Sequence, residues 1–404
     1  MHLIMSISYK ANMKYNFDEI IDRKNTNSLK YDFAKKRGKP EDVIPLWVAD
    51  MDFRTPPEVT EALVKASQHG IFGYSDTNHD YFSTLQKWYA ERFKWDIQPS
   101  WLVKTPGIVF AIAMAIRAFT NKGDGVIIQT PVYYPFSETV LANERLLVNN
   151  SLVYENHAYH IDFDDFEAKV IANNVKLFVL CNPHNPVGRV WTREELVILG
   201  DICVKHGVIV VSDEIHADFI YEGYKHTIFA NLKPEYLDIT ITCTAPSKTF
   251  NLAGLQVSNI FVANRDMRKK IEVEIEKSGY SQLNTMGLVA CKAAYDHGKE
   301  WLEQLKRYLA GNLMVVRNFL LERMPQIKMV EPEGTYLVWL DFKSLKLSEE
   351  ELDSLIVNEA KLWLDRGVMF GDVGNGFQRI NIACPRIILE KALLQLEKAV
   401  NSYS

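Results

Sequence analysis

The sequence predicts an α/β protein: a mostly parallel sheet flanked by helices, with a second, smaller α/β part after it. Three observations carry this. From about residue 100, short apolar runs alternate with helical patterns, the order expected when strands and crossover helices alternate. The runs are continuous rather than polar on every second residue, as in strands buried on both faces. The tail then reads strand–helix–strand–helix on a smaller scale. A chain of 404 residues is long enough for two such units.

In chain order, residues 14–55 are mixed and polar, except for Pro45 to Phe53, where Asp50 and Asp52 flank Met51. The plain reading there is a loop with Asx turns. Thr55-Pro56-Pro57-Glu58 opens a helix, with Thr55 as cap, Pro56 at the first helical position and Glu58 closing a capping box; Gly70 ends it. Strands are expected over 125–129, 175–181, 208–212, 239–243 and 259–263. A helix over 193–206 is opened by a second capping box, Thr192 with Glu195. A long helical zone covers 286–324. The tail follows: a strand over 335–341, a helix capped by Ser348 and Glu351, a loop with Gly371, Gly374 and Gly376, a strand over 378–384, and a helix after Pro385. The expected division is a large domain over 57–296 and a small one from 1–56 plus 297–404.

Composition excludes several classes. Hydrophobic content of 47% and charged content of 24% are ordinary globular values, and the net charge of -5 is spread without a basic face, which argues against nucleic acid. The five cysteines (181, 203, 243, 291, 384) include no CxxC pair. They read as reduced, buried thiols of a cytoplasmic protein, with neither metal site nor disulfide framework. Met1 to Lys10 lacks the features of a signal peptide. The longest apolar run, 108–116, is too short to cross a bilayer. Met13 could be a second start, making the first dozen residues an extension.

In parallel sheets, ligands bind beyond the carboxyl ends of strands, and the unusual residues fall there. Lys248 sits in Ala245-Pro246-Ser247-Lys248-Thr249-Phe250, an uncharged stretch after a strand. Desolvation lowers a lysine's pKa and makes the amine a nucleophile for carbonyls, so Lys248 is the candidate for holding pyridoxal phosphate as a Schiff base. Asp213 ends an apolar run, where a carboxylate needs a cation such as a protonated pyridine nitrogen; the ordinary alternative is a cap or a loop salt bridge. Asn185 lies in the stiff loop Asn182-Pro183-His184-Asn185-Pro186-Val187-Gly188 and is the candidate for the ring oxygen. Gly107, Ile108 and Val109 at a helix start could receive a phosphate on backbone N–H groups. Tyr133 could stack on a flat ring. Arg379 shares one strand face with Asn381 and has no acid near it in sequence, which suits a bidentate grip on a substrate carboxylate; a pairing with a distant Asp or Glu is the equal alternative.

Taken together, Asn185-Pro186-x-Gly188, Asp213-Glu214, Ser247-Lys248-Thr249 and Arg379-x-Asn381 resemble the fold-type I pyridoxal phosphate enzymes of the aminotransferase class I/II group, from about residue 14 onwards. Within the group the chain is most similar to the MalY/PatB-type cystathionine β-lyases (C–S lyases), through Trp47-Val48-Ala49-Asp50-Met51-Asp52-Phe53, Asp213-Glu214-Ile215-His216 and Arg379-Ile380-Asn381-Ile382-Ala383-Cys384-Pro385. The resemblance implies an aspartate aminotransferase-like fold with a seven-stranded large sheet, and a homodimer with shared active sites. It implies that Tyr74 of one subunit reaches the cofactor phosphate held by the other. It also implies Tyr133 on the ring, Asn185 at the ring oxygen, Asp213 at the ring nitrogen, and Ala49 with Arg379 and Asn185 at the substrate carboxylate. The implied activity is β-elimination from cystathionine or cysteine-type substrates to pyruvate, ammonia and a thiol, with Lys248 as the base.

Two positions depart from the aminotransferase pattern: Gln256 replaces an arginine eight residues after the lysine, and Ala245 a serine three before it. The phosphate then rests on N–H groups near Gly107–Val109, on Ser247 and on Tyr74, and the balance tilts towards elimination. His216 stands where a tyrosine is often found. The rival readings are an aminotransferase of the same fold and a regulatory protein that binds partners.

Overall fold

The computed structural model describes residues 13–403; the expectation made on Met1 to Lys10 lies outside them. Seven strands form the large sheet: β1 (Leu102–Thr105), β2 (Gly125–Ile128), β3 (Leu146–Asn149), β4 (Val175–Cys181), β5 (Ile209–Asp213), β6 (Thr240–Thr244) and β7 (Ser258–Phe261). Their order across the sheet is β1-β7-β6-β5-β4-β2-β3. β7 runs antiparallel to both neighbours and the other pairings are parallel.

Alternation within the strands decides which layer each residue joins. Val126, Ile128, Leu177, Val179 and Val211 pack with helices Ile108–Phe119 and Arg265–Lys277. Ile127, Phe178, Leu180 and Val210 point the other way and pack with helices Phe163–Ala172 and Arg193–His206. Both faces are therefore covered, which is why these strands read as continuous apolar runs. β1 and β3 have partly exposed residues and carry no such run. They were not individually legible, and neither was the helix His79–Phe93.

Helix ends follow the capping chemistry with one correction. Thr192 Oγ1 accepts from Glu195 N–H at 3.2 Å while Glu195 Oε2 accepts from Thr192 N–H at 2.8 Å, and Ser348 with Glu351 repeats the pattern. The expected box of Thr55 and Glu58 does not form; helix Pro57–His69 is capped by Pro56, and Thr55 Oγ1 has no partner. Pro56 precedes Pro57 and is held extended (φ -49, ψ 135), so it cannot be the first helical residue. The helix starts one residue late, which leaves Thr55 before the cap and Glu58 at the second helical position rather than the third. The zone 286–324 is two helices, Thr285–His297 and Lys299–Arg323. Gly298 separates them, where a Cβ would lie 2.4 Å from the Phe250 ring.

The tail builds a four-stranded antiparallel sheet from β8 (Lys328–Val330), β9 (Leu337–Asp341), β10 (Asp365–Arg366) and β11 (Phe377–Asn381), in the order β8-β9-β11-β10. The N-terminal segment joins this part: Ile44 and Pro45 pair with Leu362 and Trp363. Helix Arg386–Tyr403 packs on Lys299–Arg323. All five cysteines are buried and unbridged. Among the described residues no helix is long and apolar enough to cross a membrane.

Candidate active site

The parallel strands of the large sheet all deliver their carboxyl ends to one edge, and the candidate residues collect there. After β6, Ala245 caps a single helical turn, Pro246–Thr249. Lys248 Nζ donates to the Ala49 carbonyl at 2.8 Å. Burial pulls its pKa down to about 8; Arg379 pushes the same way, while Asp50 and Asp213 oppose.

β5 ends on Asp213, which is buried. Its Oδ1 accepts from the Ile215 N–H at 3.1 Å, so a local cap does form. It has no ion pair among the described residues, and burial raises its pKa to about 7. Three residues on, His216 is buried with its ring edge-on to Tyr336 (5.9 Å between centroids) and Nδ1 unpartnered. Burial holds its pKa low, helped by the charges of Lys248 and Arg379.

After β4 the proline loop is pinned: His184 N–H donates to Arg189 O and Gly188 N–H to His184 O, both at 2.8 Å. Gly188 has φ +76, and a Cβ there would lie 2.8 Å from Pro332. The loop brings Asn185 Oδ1 to within 2.8 Å of Arg379 Nη1. Tyr133, beyond β2, donates its N–H to Asn185 O at 3.1 Å. Burial raises the Tyr133 phenol's pKa, and Asp213 and Arg379 are near enough to act on it.

For Arg379 the alternative of a distant acid is realised: Asp365, directly opposite it in the β10–β11 pairing, forms an ion pair with Nη2, and both side chains are buried. Nη2 also donates to Trp47 O at 2.9 Å, while buried Nε has no partner. A fork onto a ligand therefore cannot use Nη2 unless one of these contacts is released.

The Asp50–Asp52 stretch is not a plain Asx loop either. Arg23 bridges Asp50 Oδ2 and Asp52 Oδ1, each at 2.6 Å, and buried Lys30 reaches Asp52 Oδ2 at 2.9 Å. Backbone carbonyls of the segment are clamped from both parts of the chain. Asn381 Nδ2 holds Val48 O and Asp50 O, Tyr336 hydroxyl donates to Ala49 O at 2.9 Å, and Asn251 brackets Met51 through its N–H and C=O.

Gly107 caps helix Ile108–Phe119, whose first N–H groups, those of Ile108 and Val109 included, have no acceptor within the helix. A Cβ on Gly107 would meet nothing within 4 Å. Ser247 is half-buried, and Gln256 is exposed in a left-handed conformation (φ +47) just before β7. Tyr74 stands apart, 97% exposed beside exposed Ile71 and Phe72.

Asp365, Tyr336, Asn251 and the clamping role of Asn381 were missed from the sequence. Asp365 closes the apolar run Leu362-Trp363-Leu364, the same signal that singled out Asp213.

The residues present fit pyridoxal phosphate. A buried carboxylate without a cation suits a pyridinium nitrogen. A half-buried amine of lowered pKa suits an aldehyde. A helix start with open space beside its glycine suits a phosphate.

A fold of this kind with a lysine, an aspartate and an arginine meeting at one sheet edge defines a class, and the sequence profile of aminotransferase class I and II matches residues 41–394. The chain belongs to that family. It is 42% identical to cystathionine β-lyase PatB of Bacillus subtilis, over 96% of this chain and all of that one. The structure of cystalysin from Treponema denticola, which contains a pyridoxal 5'-phosphate cofactor, superposes with a TM-score of 0.94 at 40% identity, covering 97% of this chain and all of that one. A pyridoxal phosphate-bound C–S lyase from Staphylococcus hominis superposes at 0.90 with 34% identity, covering 96% and 98%.

Proposed function

We propose that the protein is a pyridoxal phosphate-dependent carbon–sulfur β-lyase. It takes an S-substituted cysteine such as cystathionine, with one water, to pyruvate, ammonia and a thiol. The observation that carries the reading is the half-buried Lys248, its amine with a pKa near 8, in the electrostatic field of a buried Asp213 that lacks an ion pair among the described residues, in a chain 42% identical to a cystathionine β-lyase. When bound, the cofactor supplies the electron sink that makes the substrate Cα–H acidic.

The chain's own residues do the rest. Lys248 holds the cofactor at rest and then takes the proton from Cα. Asp213 keeps a proton on the ring nitrogen. Asn185 donates to the ring oxygen through Nδ2, since its Oδ1 is taken by Arg379. Arg379 and Asn185, with Ala49 beside them, hold the substrate carboxylate. Tyr133 packs on the ring, and His216 lies alongside as a neutral imidazole. The N–H groups of Gly107, Ile108 and Val109, with Ser247, receive the phosphate.

The working form is a cytoplasmic homodimer in which Tyr74 completes the neighbouring subunit's phosphate site. The almost fully exposed Tyr74, with Ile71 and Phe72 beside it, supports this. The large domain spans 57–296; 1–56 and 297–404 form the small one.

The test is pyruvate release from cystathionine with no keto acid added. Catalytic pyruvate and thiol are expected, and Lys248→Ala abolishes them. Activity strictly dependent on a keto-acid acceptor would make the protein an aminotransferase instead.

A further inference from the structure

We propose that Asp218 is a positioning residue for Lys248: by accepting a hydrogen bond from Thr249 it fixes the root of the lysine side chain, with Arg92 as its counter-charge. This deepens the C–S lyase reading above and rests on it.

Thr249 is buried directly after Lys248, in the turn Pro246–Thr249. Its Oγ1 donates to Asp218 Oδ2 at 2.8 Å. Asp218 is itself buried and stands five residues after Asp213. The stretch between them is folded onto itself by the Ala217 N–H on Glu214 O and the Phe219 N–H on His216 O, both at 3.0 Å. One hydrogen bond therefore ties the strand end that carries the proposed partner of the ring nitrogen to the turn that carries the amine.

The tie closes a ring of contacts around the lysine. Phe219, next to Asp218, meets Tyr336 edge-on with 4.9 Å between centroids. The Tyr336 hydroxyl donates to Ala49 O, which also accepts from Lys248 Nζ. The side chain is thus held at its tip and at its root from the same neighbourhood. The tip must let go of Ala49 O to act on a substrate, and from then on only the root aims it. A reacting group misplaced by about 1 Å loses on the order of a hundredfold in rate.

Arg92, from helix His79–Phe93, supports both residues that follow the lysine. Its Nε faces Asp218 Oδ1 at 2.7 Å as an ion pair, without the alignment of a hydrogen bond, and its Nη1 donates to Glu303 Oε1 at 2.8 Å. Its guanidinium lies 4.8 Å over the Trp88 ring, which meets Phe250 edge-on at 5.5 Å. A buried carboxylate is costly unless it is both paired and hydrogen-bonded. Asp218 meets the two conditions through Arg92 and Thr249.

The experiment removes the bond without touching a charge. Thr249→Val keeps the shape and loses the hydroxyl; Thr249→Ser keeps the hydroxyl and loses the methyl. In the cofactor-free full chain, labelling with an amine-directed electrophile across pH reads the Lys248 midpoint. Beyond burial, the charges that act on this amine are Asp50, Arg379 and Asp213, and neither variant alters them. A loosened root lets water reach the amine, so Thr249→Val should raise the midpoint by about half a unit, with about a threefold loss of neutral amine at pH 7. In the loaded enzyme it should lower kcat on cystathionine about tenfold while KM stays within about twofold. Thr249→Ser should keep the parental midpoint and most of kcat. A parental midpoint in Thr249→Val overturns the proposal, and so does a Thr249→Ser as impaired as Thr249→Val, which would assign the effect to packing. If Thr249→Val does not fold, Thr249→Ser decides alone: a parental midpoint supports the proposal and a raised one overturns it. Absence of pyruvate with the unsubstituted protein overturns instead the lyase reading, while the labelling midpoints still decide the role of Asp218.

Discussion

The cofactor-free protein should display Lys248 as an abnormally acidic lysine. Its pKa lies near 8, against 10.5 for an ordinary lysine. The gap corresponds to about 3 kcal/mol, and to some hundreds of times more neutral amine at pH 7. Burial causes it, and Asp50 is the strongest opposing charge. Asp50→Asn should therefore move the midpoint lower still. The assay is competitive labelling of the apoprotein with an amine-directed electrophile across pH, read by peptide mass spectrometry. Lys248 should label with a midpoint near 8. The sign carries over to stability. Between about pH 8 and 10.5 the unfolded chain keeps this proton and the folded chain has lost it, so this group makes the apoprotein more stable as pH rises through that window. A Lys248 midpoint at or above about 10 would refute the desolvation argument on which the amine's reactivity rests.

Two further outcomes test the supporting structure. Asp365→Asn leaves the Arg379 guanidinium buried without its counter-charge; an unfolding free energy lower by about 3 kcal/mol is expected in denaturant titration, together with a rise in KM larger than the fall in kcat. Gly371→Ala places a Cβ at φ +120 and 2.9 Å from Thr130 Cβ; a loss of about 1–3 kcal/mol is expected in thermal unfolding, and a variant as stable as the parent would show that the loop relaxes freely.

Much of the site was legible because its residues break the pattern of their surroundings. Asp213 closes an apolar run, Lys248 sits among uncharged residues, and Asn185 is wedged between His184 and Pro186. Each anomaly is local, so sequence displays it. Asp365 escaped because its meaning is relational: it matters only as the residue across from Arg379 in an antiparallel pair, and strand register is not written near either one. The clamps on Ala49 and Met51 escaped for the same reason, since backbone carbonyls look alike in any sequence. The Thr55 box failed on a conflict between two local rules, the capping preference and the restriction before a proline, and the steric rule won. The large strands were found because both their faces are covered; β1 and β3 were not, because they are half exposed.

The carbonyl clamps on residues 47–51 also set a timetable. That segment leaves the ribosome early, yet its partners are Asn251, Tyr336, Arg379 and Asn381. A nascent chain lacks the donors to Trp47 O and Val48 O until the last strand has been made, and the Tyr336 donor to Ala49 O until shortly before. The Ala49 oxygen that receives Lys248 is thus fixed in place only near the end of synthesis, and the sheet edge can form long before it can act. A chain cut short before residue 379 would keep its lysine and most of its large sheet while lacking the frame that aims the amine.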